Sequence, residues 1–268
     1  MQKNIQYQSH QIAYRLIGAG TPVMLVHGFG EDSLIWDKQI EFLQNHCLLL
    51  VPDLPGSGKS EMITDKSSDD PISMADYAAV LEAILEEENI KECIMLGHSM
   101  GGYITLAFAE KCAEKLLRFG LVHSSAIADS TEKKATRLKG IELMENYGAA
   151  PFLKNTIPNL FSQKFKSEHP EMVALLIDAS QHFSTPACQQ YYRAMMNRPD
   201  RTSVLKSNPQ PILFVVGTED VAAPLNDLLP QISLPTHPTV HILEGVGHMG
   251  MWEATTQVNQ FLLDFINL

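Results

Sequence analysis

Three side chains in this sequence have the chemistry to cleave a carbonyl compound together, and each follows an apolar run. The first is Ser99, in Gly97-His98-Ser99-Met100-Gly101, followed by Gly102. As a bare pattern, a serine with glycine two positions to either side arises by chance in about one chain in ten of this length. Here it comes directly after the apolar run CIML and before a helix-like stretch, the strand–turn–helix setting in which the pattern has a mechanism. So tight a turn strains the serine backbone, and neighbours two positions away must lack side chains for the chains to approach. The turn aims the hydroxyl out of the sheet beside a helix N-terminus. There the amide of Met100 can face a developing oxyanion.

A serine hydroxyl is a weak nucleophile until a base takes its proton. Of ten histidines, His98 adjoins Ser99 and is expected to point away from it, and His27 sits in another loop. His10, His46, His169 and His182 lie in polar surroundings without a recognisable turn. His248 is the candidate base. It follows the last strand-like run in the loop Glu244-Gly-Val-Gly-His-Met-Gly250, whose glycines free the backbone to carry one side chain over a strand edge. An imidazole in this role needs a buried carboxylate to fix its tautomer and stabilise its cation. Asp220 ends Gly217-Thr-Glu-Asp, immediately after the run ILFVV, and is the expected orienter, with Glu219 the nearest competitor. A second oxyanion donor is expected in His27-Gly28-Phe29-Gly30 after VMLV, where the amide of Phe29 can turn inward.

Two other patterns are weaker. Gly56-Ser-Gly-Lys-Ser60 ends like a phosphate-binding loop, but the full pattern requires glycine at position 53, where this chain has Asp53. The following EMITDKSSDD is polar and acidic and offers phosphates no helix N-terminus. His237 and His241 straddle a proline and a strand start rather than sharing a helix face, and no cysteine or acidic cluster joins them at ligand spacing. Neither nucleotide nor metal is expected, and no cofactor is implied.

These groups must be carried by a scaffold that brings strand ends together. Short apolar runs at 23–27, 47–51, 93–97, 119–123, 212–216 and 239–243 read as strands buried on both faces. Alternation over Ile5–Tyr7 and Ile12–Leu16 adds a β-hairpin, for eight strands in all. Helix periods lie between them. One starts at Ser73, an N-cap with Asp76 three residues on, buries Tyr77, Val80, Leu81, Ile84 and Leu85, and ends in the solvated run Glu86–Glu88. Others run from Gly101 to Phe108 and from Thr255 to Phe265. The expected fold is therefore α/β: an eight-stranded, mostly parallel sheet flanked by helices. Residues 125–206 break the rhythm with helical spacing alone, and read as a helical cap inserted after the sixth strand, between core segments 1–124 and 207–268.

Composition narrows the partners. Hydrophobic residues make up 45% of the chain and charged ones 19%, enough for a large core. The net charge of −11 argues against nucleic acid or an anionic membrane as partner and leaves a small-molecule substrate. The N-terminal stretch lacks the pattern of a secretory signal, and no run is long and apolar enough to span a membrane. Four scattered cysteines (Cys47, Cys93, Cys112, Cys188) read as unpaired thiols in a reducing, cytoplasmic setting.

Taken in order, HGFG at 27–30, D-x-P-G-x-G-x-S at 53–60, GHSMGG at 97–102, GTED at 217–220 and GVGHMGMWE at 245–253 resemble the α/β-hydrolase superfamily, specifically its capped esterases and carbon–carbon bond hydrolases. The resemblance covers the chain outside the insertion, where only Asn197-Arg-Pro-Asp-Arg201 looks familiar. It implies the chain order Ser99, Asp220, His248 for a catalytic triad. Serine at the nucleophile position departs from the dehalogenase and epoxide-hydrolase pattern, which has aspartate there. The expected activity is hydrolysis of small, largely apolar carboxylic esters through an acyl-enzyme. A carbon–carbon bond hydrolase or lyase, a ligand receptor with vestigial hydrolysis, and an acyltransferase are the alternatives.

Overall fold

A computed structural model describes residues 1–64 and 71–268. Eight strands form one sheet: β1 (Gln2–Tyr7), β2 (His10–Gly18), β3 (Pro22–Val26), β4 (Leu48–Pro52), β5 (Cys93–His98), β6 (Leu116–Val122), β7 (Ile212–Gly217) and β8 (Pro238–Leu243). Their order across the sheet is β1-β2-β4-β3-β5-β6-β7-β8. The β1–β2 hairpin is antiparallel and β2 lies antiparallel to β4, while every pair from β4 onward is parallel. The expected mostly parallel sheet is what the chain forms.

Alternation along the buried strands sorts side chains into two layers. Met24, Val26, Leu50 and Met95 face one cluster, and Val23, Leu25, Leu49, Val51, Ile94 and Leu96 face the other. After α1 (Asp37–Leu43), helices α2 (Met74–Glu87) and α3 (Met100–Lys111) cover the first layer. Helix α1 covers the second with the C-terminal helix described below. The Ser73 N-cap is present in full: its hydroxyl accepts from the Asp76 amide, and the Asp76 carboxylate accepts from the Ser73 amide. The far end of α2 corrects an expectation. Glu88 is anchored by Lys3 at 2.8 Å and by the Tyr14 hydroxyl, and Glu86, though exposed, meets Lys115 Nζ at 3.1 Å, which leaves Glu87 as the solvated end. The run at 239–243 is a second correction. β8 is a sheet edge with most of its side chains partly exposed, so its apolar character reflects one covered face, where the His241 ring stacks on Phe261 at 3.7 Å.

Between β6 and β7 the described residues hold helices without a strand: α4 (Thr131–Tyr147), α5 (Ala149–Thr156), α6 (Gln163–Glu168), α7 (Pro170–Ala179), α8 (Thr185–Met196) and α9 (Thr202–Ser207). Three more, α10 (Leu225–Ile232), α11 (Gly250–Glu253) and α12 (Thr255–Ile266), complete the core. No helix among the described residues is long and apolar enough to cross a membrane.

Strand order reverses at β3: the chain moves to β4 on one side and returns to β5 on the other. Such a switch point opens a crevice at the C-terminal strand ends. Val26 of β3 pairs with Gly97 of β5, so the loops carrying HGFG and GHSMGG start side by side.

Candidate active site

Ser99 stands between β5 and α3 with φ 51° and ψ −115°, a conformation that L side chains rarely adopt. The flanking glycines explain how the turn closes. A Cβ on Gly97 would lie 2.3 Å from the Gly101 carbonyl oxygen, and one on Gly101 would lie 2.3 Å from the Val26 carbonyl oxygen. The HGFG loop arrives from the other side, so close that a Cβ on Gly28 would sit 3.1 Å from Cβ of Ser99. Neither the Phe29 amide, next along from Gly28, nor the Met100 amide, next along from Ser99, donates to an acceptor among the described residues.

Asp220 and His248 meet as expected: His248 Nδ1 lies 2.8 and 3.0 Å from the two carboxylate oxygens of Asp220. Glu219, the competing acid, is exposed on the same loop. Asp220 is also a hub. Its Oδ1 accepts from the amides of Ala222 (2.9 Å) and Ala223 (2.8 Å), and its Oδ2 accepts from Nδ1 of a second imidazole, His123, at 3.1 Å. Burial alone would raise this carboxyl, but the His248 and His123 rings outweigh it and hold the group far below the ordinary carboxylate range. Burial pushes His123 down, which keeps it a neutral donor.

Sequence reasoning missed His123, which ends the apolar run at 119–123 and reads there as a strand tail. It directly follows β6, and its role depends on β7 lying beside that strand, which no pattern in the sequence shows. His98 and Glu31 were missed as well. His98 does turn away from Ser99, but into a buried pair: Nδ1 meets Glu31 Oε2 at 3.0 Å and Nε2 meets the His248 carbonyl at 3.0 Å. Both ring nitrogens face acceptors, which suits an imidazolium. Burial lowers His98 and raises Glu31; their attraction reverses both, so the histidine is raised and the glutamate lowered. Glu31 also accepts from the Gly28 amide at 2.7 Å. One ion pair therefore fixes the HGFG loop, the serine turn and the His248 backbone together.

A cavity of about 230 Å³ opens over these groups, lined by Ser99, His248 and Phe29 from the core and by Lys133, Arg137, Leu160, Tyr192 and Met195 from the inserted helices. Ser99 and His248 share this wall, but among the described residues no hydrogen bond joins them in this structure. Such bonds are often loose before substrate binds.

The decoys resolve physically. Asp53 accepts from the amides of Ser33 and Lys59, both at 2.9 Å, so the Gly56–Ser60 turn wraps a carboxylate; residues 65–70 of the acidic stretch lie outside the described residues. Among the described residues one group of three metal-capable side chains stands out: His123, Asp220 and His248. Their contacts of 2.8–3.1 Å are those of imidazole N–H groups on a carboxylate, which occupy the lone pairs a cation would require.

Comparison with known proteins bears on the fold and the family. At 28% identity the chain is similar to the dihydrolipoyllysine-residue acetyltransferase component of an acetoin cleaving system from Pseudomonas putida, over 92% of this chain and 64% of that relative. It is 25% identical to a 2-hydroxy-6-oxononadienedioate/2-hydroxy-6-oxononatrienedioate hydrolase from Paraburkholderia phymatum, over 96% of this chain and 91% of the relative. Among solved structures, a malate-bound thermophilic esterase from Thermogutta terrifontis superposes with TM-score 0.92 at 26% identity, covering 100% of this chain and 98% of that one. The model of the alpha/beta hydrolase family matches residues 23–261, and the chain belongs to that family.

Proposed function

We propose that the protein is a serine hydrolase working through an acyl-enzyme on carboxylic esters with small, largely apolar groups. The observation that carries this reading is His248, held from behind by Asp220, on the wall of the cavity that Ser99 also lines. In the first half-reaction Ser99 Oγ attacks the carbonyl carbon and its proton passes to His248 Nε2. Asp220 holds Nδ1–H and stabilises the imidazolium, while the amides of Phe29 and Met100 receive the oxyanion. His248 then protonates the leaving alkoxide. In the second half water attacks the acyl carbon, its proton goes to His248, and the proton returns to Ser99 as the acid departs.

The helices of 125–206 act in this reading as a cap that shields the acyl-enzyme, and the unpaired thiols fit a cytoplasmic setting. A second reading keeps the triad and cleaves a carbon–carbon bond in a diketone-like substrate; the Paraburkholderia relative favours it. A panel of activated esters graded by acyl length, assayed beside vinylogous diketones, separates the two. Ester turnover that falls with acyl length and is absent in Ser99→Ala supports the first reading. Turnover of the diketones alone sinks it.

A further inference from the structure

The cavity roof carries charge that acyl transfer does not use. Helix α4 turns Lys133 and Arg137, one turn apart, toward the space above Ser99 and His248. Lys133 Nζ donates to the Ala222 carbonyl at 3.0 Å, on the loop whose Ala222 amide binds Asp220, so the ammonium is tethered beside the triad acid with two N–H donors left over. Arg137 gives Nε–H to Asp129, and its terminal N–H groups have no acceptor among the described residues. Its guanidinium lies over the Tyr192 ring at 5.2 Å.

A charge count shows these cations to be only partly compensated. Asp129 is buried and shared: its other oxygen accepts from Arg198 at 2.8 Å, so one carboxylate faces two guanidiniums. Glu31, the acid on the cavity wall, is already paired with His98, whereas Asp220 keeps its negative charge, because the neutral His123 and the base His248 donate N–H groups to it without cancelling that charge. Lys133, Arg137 and Arg198 set against Asp129 and Asp220 therefore leave one net positive charge at a small cavity, in a chain whose overall charge is −11. A local field of that sign, against the sign of the whole molecule, is what an anionic ligand would need. Around the cations the walls are Phe29, Leu160, Tyr192, Met195 and Val221.

We propose that Lys133 and Arg137 form a carboxylate subsite, and that the substrate is a short, apolar ester carrying a free carboxylate at its far end. The proposal rests on the serine-hydrolase reading and narrows its substrate class. At about 230 Å³ the cavity suits a chain of a few carbons between the two ends.

The test compares two matched esters, 4-nitrophenyl hemiglutarate and 4-nitrophenyl pentanoate, and separately labels Ser99 with a neutral fluorophosphonate. The wild-type protein should favour the hemiglutarate in kcat/KM by about tenfold or more, the scale of a charge-assisted hydrogen bond at a part-exposed site. Lys133→Gln, which spares the buried Asp129 pair, should cut that ratio through KM, and Lys133→Glu should invert it. Raising salt should shrink the wild-type preference. A pentanoate preference in the wild type, or a ratio indifferent to both Lys133 variants, overturns the subsite while Ser99 labelling leaves the hydrolase reading standing. Absence of labelling together with absence of turnover on both esters overturns both.

Discussion

Asp220 holds two imidazoles and two amides on one side chain, so its replacement tests more than a hydrogen bond. In Asp220→Asn the amide NH₂ would oppose an imidazole N–H, and either His248 or His123 must take the wrong tautomer. We expect turnover to fall by about 10⁴-fold, with a loss of stability from the second histidine, read as a drop in melting temperature beside the activity assay. The Glu31–His98 pair carries a pH signature. Glu31 is depressed from 4.5, so its contribution is present above that value and lost as pH falls through its folded pKa. His98 is raised from 6.5, so its contribution is complete below that value and lost as pH rises through its folded pKa. The pair stabilises most between pH 4.5 and 6.5. The gap in melting temperature between wild type and Glu31→Gln should be widest in that window, and a gap flat from pH 4 to 9 would contradict the pairing. Of these residues Ser99, Asp220 and His248 were legible because each ends an apolar run at a glycine-rich turn. His123, His98 and Glu31 were not, since their roles depend on which strand lies beside which.

At the level of elements, the serine turn depends on two glycines more than on any apolar contact. Gly97→Ala would place a methyl 2.3 Å from a backbone oxygen, which nothing but a shift of β5 against α3 relieves. We expect a cost of about 3 kcal/mol or more and a protein that expresses poorly or unfolds early in denaturant. Ser73→Ala is the milder counterpart: loss of one N-cap on α2 should cost about 1 kcal/mol, seen as a lower urea midpoint with unchanged slope. Buried strands and capped helices were readable because periodicity and end signals agree in them. Helices α1 and α10 carry no such signal in the sequence. α1 is only seven residues long, and α10 carries Pro230 inside it. The run of β8 reads in the sequence as buried on both faces, because a strand covered on one face can be as apolar as one covered on both.

Across the whole molecule, Asp129, in the segment between β6 and α4, ties Arg137 of α4 to Arg198 beyond α8, and Arg198 also lies over the Tyr103 ring of α3 at 3.9 Å. Asp129→Asn would leave two guanidiniums facing each other without a counter-ion. A buried pair broken from one side costs about 3–5 kcal/mol, and protease nicking within 125–206 should rise before the core unfolds. The insertion's helical content was visible in the sequence as spacing; its charged inner face was not, because which side of α4 faces the cavity is set by packing against α8. The proposed function requires a covalent intermediate on one serine. Rapid quench of the wild-type protein with an activated ester, followed by intact-mass and peptide analysis, should show one acyl group on the peptide bearing Ser99 and none in Ser99→Ala. Steady ester turnover in Ser99→Ala, or acylation at another residue, would contradict the account.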